Sequence, residues 1–147
     1  MTASRISDFN VWVGDLEDAI NWKGNIICVL EVLPEREPVN ALWIPIIKMS
    51  WKNRGEENWT AGYIEGAIPQ QLDLVSEKIE LLRHQDKPLL VHCGAGQERS
   101  PLAVAYWHQK RMNDNGIGIG IDEAYKFVKS YRKETIEHFE WLTEKPD

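Results

Sequence analysis

The sequence predicts an α/β domain whose central sheet is mostly parallel and flanked by helices, and three observations carry that expectation. Asn25 to Val32 and Pro88 to Val91 are nearly continuous apolar runs, the pattern of strands buried on both faces. Leu72, Val75, Ile79 and Leu82 recur at helical spacing between Gln70 and His84, and Leu102 to Met112 is apolar along one helical side. The signals run β, α, β, β, α, β and then helices only, an order that places helices on both faces of a sheet.

Taken in order, Asn10 to Val13 reads as a short strand and Asp15 opens a helix to about Trp22. The buried strand Asn25 to Val32 follows, then a turn over Pro34 to Pro38 and a strand over Ala41 to Ile46, with Pro45 near its end or edge. Lys48 to Ile64 reads as an insertion in which Trp51, Trp59 and Tyr63 interleave with Lys48, Lys52 and Arg54. As a lid it would lay aromatic surface beside a bound group, and as a flap it would pack on the domain; the residues leave both open. A helix over Gln70 to His84 leads through Asp86 to Pro88 into the strand Leu89 to His92. Ser100 is read as the N-cap of the next helix, which Asn113 to Gly116 breaks. Gly116 to Ile121 alternates glycine with isoleucine but lacks the strand-then-helix placement of a dinucleotide fingerprint, so it reads as a connection. Asp122 caps a helix through Tyr131, and Glu134 to Leu142 supplies the last.

At 147 residues the chain is expected to form one domain, 1–147, with a core that needs no staples. Two cysteines, Cys28 and Cys93, are too few for a disulfide framework, and no metal-type cluster of Cys and His accompanies them. A reducing compartment is expected, with no cofactor and no metal. Met1 to Asn10 holds no apolar signal region and no stretch approaches the length of a membrane span, so the expectation is a soluble cytoplasmic protein without a membrane partner. A net charge of −6 disfavours nucleic-acid binding and gives no long-range pull on an anionic substrate. Oligomeric state is not legible.

His92-Cys93-Gly94-Ala95-Gly96-Gln97-Glu98-Arg99-Ser100-Pro101 carries the chemistry. It is a strand, a tight loop and a helix start. Such a loop can curl so that its backbone N–H groups form an anion-binding nest, with the helix N-terminus adding positive potential. Arg99 offers a planar fork suited to two phosphate oxygens. A thiol in that field is acidified, because the dipoles and the guanidinium favour thiolate. The chemistry indicated is attack by Cys93 on a phosphate monoester, giving a cysteinyl-phosphate that water hydrolyses. Gly94 and Gly96 permit the backbone angles that aim N–H groups at phosphate, Ala95 completes the loop, and Gln97 and Glu98 point outward at its rim. Ser100 can also donate to the Cys93 sulfur. His92 holds the loop through a buried hydrogen bond, and Cys28, mid-strand, reads as a buried structural cysteine.

These residues give a resemblance. Val91-His92-Cys93, five residues, Arg99-Ser100 resembles the signature of the cysteine-dependent protein tyrosine phosphatases, and Cys-Gly-Ala-Gly with Arg-Ser looks most like the dual-specificity branch. Ile6 to Gly14, Ile26 to Val32, Ile44-Pro45 and Asp122 to Val128 are similar to further segments of that family. Low-molecular-weight phosphatases carry a similar loop near the N-terminus, whereas here it begins at 93. The resemblance implies a three-layer phosphatase fold and hydrolysis of phosphotyrosine, with phosphoserine or phosphothreonine also open, in a phosphoprotein or phosphopeptide.

In the family an aspartate after the Ile-Pro strand protonates the leaving oxygen, but this chain has no aspartate from Lys48 to Gln71. Glu65-Gly66-Ala67-Ile68-Pro69 resembles the Asp-Gly-x-x-Pro form of that acid loop. Glu65 is therefore the first choice for general acid, Glu57 the second, and Asp73, inside the predicted helix, the third. Two other readings stay open: a phosphate-binding pseudophosphatase with little turnover, and an enzyme for a non-protein polyanion such as a phosphoinositide or an RNA 5′-triphosphate.

Overall fold

In the computed structural model, residues 2–46 and 67–137 are described, with no side chains for 67–70. The elements run β1 (Ser4–Arg5), β2 (Val11–Gly14), α1 (Leu16–Ile20), β3 (Asn25–Cys28), β4 (Leu42–Trp43), α2 (Ala67–Leu82), β5 (Leu89–His92), α3 (Arg99–Asp114) and α4 (Ile121–Tyr131). They build a mixed α/β fold around a five-stranded sheet of order β1-β2-β5-β3-β4. β2, β5, β3 and β4 are parallel, and β1 pairs antiparallel with β2 at one edge.

The period-2 alternation of the strands divides the core into two layers. Val11, Val13, Ile27, Leu89 and Val91 join one cluster with Leu72, Val75 and Ile79 of α2, Leu102 to Ala105 and Trp107 of α3, and Ala124, Tyr125 and Val128 of α4. Ile26 and Leu90 turn to the other face, where Ala19 of α1 packs with Trp12 and Trp22. Helices thus cover both faces, which explains why β3 and β5 read as nearly continuous apolar runs. Asp15 starts α1 as predicted, through a capping box: its side chain accepts from the Asp18 N–H at 2.8 Å and Asp18 accepts from the Asp15 N–H at 2.9 Å.

Several boundaries differ from the sequence reading, each for a local reason. β3 stops at Cys28 rather than Val32, and β4 covers only Leu42–Trp43 of the expected Ala41 to Ile46. The ladder nevertheless extends past both, with Val29 N–H donating to His92 O at 3.0 Å, Ile44 to Cys28 O at 2.9 Å and Ile46 to Val29 O at 3.1 Å. Pro45, with no N–H, interrupts it. Ser100 is not the N-cap of α3: the helix begins at Arg99 with Glu98 as the cap residue, and the Ser100 hydroxyl is spent elsewhere. Likewise Gly120 caps α4, with Asp122 in its first turn. Residues 134–137 are turn and coil, not the start of a last helix, and the remainder of that expected helix lies outside the described residues. The short edge strand β1 was not expected. Among the described residues no helix is long and apolar enough to cross a membrane.

Candidate active site

β5 runs down the middle of the sheet, its four residues buried, and delivers Cys93 from its carboxyl end. On one side β2 leads into α1, and on the other face α3 begins, so the loop 93–98 lies in the crevice where connections leave the sheet in opposite directions. Cys93 is 4% exposed. Its Sγ sits 3.2 Å from the Ser100 hydroxyl oxygen, which is fully buried in the first turn of α3.

The loop is held by its carbonyls. Gly94 O accepts from the Leu16 N–H of α1 at 3.2 Å, Gly96 O from Arg132 Nε at 2.6 Å, and Gln97 O from the Ile136 N–H at 2.7 Å. Among the described residues no peptide bond is cis, and in a planar trans peptide the following N–H points opposite to the carbonyl. The amides of Ala95, Gln97 and Glu98 are therefore turned away from those three partners. Gly96 adopts φ +69, the left-handed region where a glycine costs least. Gly94 has no positive φ, so the backbone freedom expected of both glycines is used only at Gly96. Gly94 and Ala95 are exposed at the rim, while Gln97 and Glu98 are half-buried rather than pointing freely outward.

Arg99, the first helical residue, donates from Nε to Ile46 O at 2.8 Å and from Nη2 toward Glu31 Oε2 at 3.3 Å. Ile46 ends the segment read as the strand before the acid loop, so that segment and the arginine are tied together. His92 is fully buried beneath the loop, with Nδ1 3.1 Å from Cys93 O and Nε2 2.8 Å from Glu37 Oε2. Burial pushes the Cys28 thiol up to about 12; a backbone hydrogen bond from Leu30 opposes this, and the charges of Glu37 and Cys93 add to it. Donor atoms of Cys28, Glu37 and His92 lie within 4.8 Å of one another, the atom types of a zinc site. A cation there would have to displace a strongly held thiol proton and break the 2.8 Å His–Glu contact, so we read the three as a buried His–Glu pair beside a protonated thiol.

Of the acid candidates, Asp73 lies on α2 and accepts from Tyr106 Oη at 2.6 Å, with Lys110 Nζ at 3.7 Å. Burial, then Asp73 itself, pushes the Tyr106 hydroxyl up to about 12. Its carboxylate is thus engaged by α3. Glu65 and Glu57 lie outside the described residues, as does the insertion 48–64. Sequence reasoning missed four residues. Arg132 is 1% exposed and holds the loop while donating to Thr2 O, Ser4 Oγ and Val13 O. Gly14 meets the loop backbone: a Cβ on Gly96 would lie 2.7 Å from its carbonyl oxygen. Glu31 and Glu37 come from a segment that reads only as strand end and turn. For Gly14 the placement of a glycine at the end of an apolar strand was the available signal; the other three carried none.

The family model described as "Dual specificity phosphatase, catalytic domain" matches residues 15–145. No curated protein matches the sequence. Among solved structures, human DUSP28 superposes with a TM-score of 0.63 at 15% identity, covering 95% of this chain and 87% of that one. DUSP15 gives 0.63 at 19%, covering 96% and 83%. OH1 of the Orf virus, described as a tyrosine phosphatase with triple substrate specificity, gives 0.57 at 22%, covering 90% and 74%.

Proposed function

The chain belongs to the dual-specificity phosphatase family, and from that premise we propose that it hydrolyses phosphate monoesters, phosphotyrosine first, in a phosphoprotein or phosphopeptide. The observation that carries this reading is the loop's outward clamping: three carbonyls, one bound from α1 and two from the segment after α4, turn the amides of Ala95, Gln97 and Glu98 the other way, above a sulfur hydrogen-bonded to Ser100. Converging amides beside a helix N-terminus favour an anion, and Arg99, with Nε on Ile46 O and Nη2 toward Glu31, adds its positive charge and its remaining N–H donors. Cys93 Sγ attacks phosphorus as a thiolate, the S–P bond forms and the P–O bond to the leaving group breaks. The growing charge on the equatorial oxygens is met by the amides and Arg99. Water then attacks phosphorus, the S–P bond breaks, and the Ser100 hydroxyl stabilises the departing thiolate. Glu65 is the proposed donor of the leaving oxygen's proton.

Hydrolysis of an aryl phosphate in the presence of a chelator tests the reading, with Cys93→Ser as the comparison. Wild type should turn over and Cys93→Ser should not; activity unaffected by Cys93→Ser would overturn it. Glu65→Gln should slow phenyl phosphate by on the order of 10²-fold and a strongly activated aryl phosphate much less, because only the poor leaving group needs its proton in the transition state. Equal losses on both would remove Glu65 from the role.

A further inference from the structure

Glu37 is an acid in an irregular segment, a place where carboxylates ordinarily face water. Its side chain is nevertheless only 3% exposed. One oxygen, Oε2, contacts His92 Nε2 at 2.8 Å, while Oε1 is buried with no hydrogen-bond partner. Leaving half a carboxylate unsatisfied is costly, and a position that keeps such a group calls for a reason. The surroundings are built to hold it there. The Glu37 N–H closes a turn onto Pro34 O at 3.1 Å, and the neighbouring Arg36 pairs with Glu17 of α1 at 3.0 Å.

The donor count at His92 sharpens the point. Nδ1 faces the Cys93 carbonyl and Nε2 faces a carboxylate, and both of those groups accept. Satisfying both contacts takes two protons: one on Nδ1, and one between Nε2 and Oε2. A neutral imidazole beside a bare carboxylate supplies only one. With both ring nitrogens donating, the positive end of the His–Glu pair lies directly under the Cys93 backbone and the negative end lies beyond it.

We infer that Glu37 is a positioning residue: its buried carboxylate fixes His92, and His92 fixes the carbonyl and the electrostatic surroundings of Cys93 from beneath the loop. The consequence for turnover rests on the phosphatase reading, whereas the contacts do not. Other charged or titratable groups face this region from each packed element. Cys28 comes from β3 and carries a firmly held proton, and Arg99 with Glu31 stands at the rim. Arg132 lies behind Gly96, and Asp15 and Asp18 sit on α1, next to the loop carbonyl that Leu16 holds. Among the described residues Glu37 is the charged group in hydrogen-bond contact with the imidazole.

The test is the rate at which iodoacetate alkylates Cys93 across a pH series, which requires no turnover. Glu37→Gln keeps the shape and removes the charge. Its alkylation rate at pH 6 should fall about tenfold, because an amide cannot hold the second imidazole proton and the positive charge beneath the Cys93 backbone goes with it, and the whole rate curve should move to higher pH. In a His92→Asn background Glu37→Gln should add less than about twofold, because it acts through the imidazole. A folded Glu37→Gln protein with an unmoved curve, or full additivity with His92→Asn, would overturn the inference. Should Glu37→Gln fail to fold, nitrogen NMR of the wild-type imidazole decides: protons on both ring nitrogens at pH 7 support the inference, and one proton overturns it. A shifted alkylation curve in a protein that hydrolyses nothing would leave this inference standing and sink the phosphatase reading.

Discussion

Replacing Gly96 by alanine should damage the loop far more than replacing Gly94, although both are loop glycines one residue apart from Ala95. At Gly96 the backbone stands at φ +69, and alanine there costs on the order of 1–2 kcal/mol. The added Cβ would also lie 2.5 Å from Arg132 Nη2, 2.7 Å from Gly14 O and 2.8 Å from Gly14 C, about 0.6 Å or more short of the 3.4 Å where ordinary contact begins. Gly14 is paired in register with His92, so its backbone has little room to give. Overpacking of this kind costs roughly a further 1–3 kcal/mol. At Gly94 the nearest atom to a new Cβ is Leu30 Cδ2, at 3.8 Å, and φ is not positive. Urea unfolding should therefore show a loss of about 2–5 kcal/mol for Gly96→Ala and less than about 1 kcal/mol for Gly94→Ala. A loop displaced by most of an ångström should also lower kcat on an aryl phosphate by on the order of 10²-fold. Equal stability and equal kcat for the two variants would refute the reasoning.

Burial, then the charge of Arg111, pushes His108 down to about 4, so it is neutral in the fold and charges readily once unfolded. The stability it contributes is complete above about pH 6.5 and is lost as pH falls toward 4, by no more than about 3 kcal/mol. Urea titrations at pH 7 and 4.5 should show a smaller acid loss in His108→Gln than in wild type, and an identical loss would count against it. Ser100→Ala removes the hydroxyl 3.2 Å from Cys93 Sγ and should slow release of the thiolate about tenfold, the worth of a hydrogen bond to a charged group; a larger pre-steady-state burst is the sign to look for, and an unchanged kcat the contrary one. With its thiol pushed up to about 12 and no exposed surface, Cys28 should resist iodoacetate at pH 8, so Cys93→Ser should remove nearly all labelling.

What was legible in the sequence followed from patterns that local physics imposes. Apolar runs gave β3 and β5, helical spacing gave α2 and α3, and Asp15 marked the start of α1. The loop announced its own chemistry, because Cys93, Gly96, Arg99 and Ser100 lie within eight positions. What escaped reading was contact at long range. Arg132 reaches Gly96 across 36 positions and Val13 across 119, and Glu37 reaches His92 across 55. No residue type at those positions advertises its partner, and an arginine or glutamate in a loop is ordinarily solvated. Ser100 was misread as a cap for a related reason: local propensity offers its hydroxyl to the helix backbone, and the fold gives it to the sulfur instead.

The same long-range clamps yield a sharper test of how the loop acquires its shape. If the outward carbonyls aim the amides inward, removing one clamp without disturbing the core should impair phosphate binding more than stability. Ile136 suits that purpose: its N–H donates to Gln97 O at 2.7 Å, its side chain is 44% exposed, and it lies outside any helix or strand. Proline at this position deletes the N–H and little else of the core, whereas alanine keeps the N–H and trims the same side chain. The Gln97 carbonyl freed by Ile136→Pro can rotate, and the Glu98 amide turns with it because the peptide is planar. Vanadate, as a probe of the loop, should bind Ile136→Pro about tenfold more weakly than Ile136→Ala, the effect of misaligning one donor to an anion, while the two unfold within about 1 kcal/mol of each other. If both variants bind vanadate equally well, the clamp on Gln97 is not what orients the loop, and the burden passes to Arg132 and Leu16.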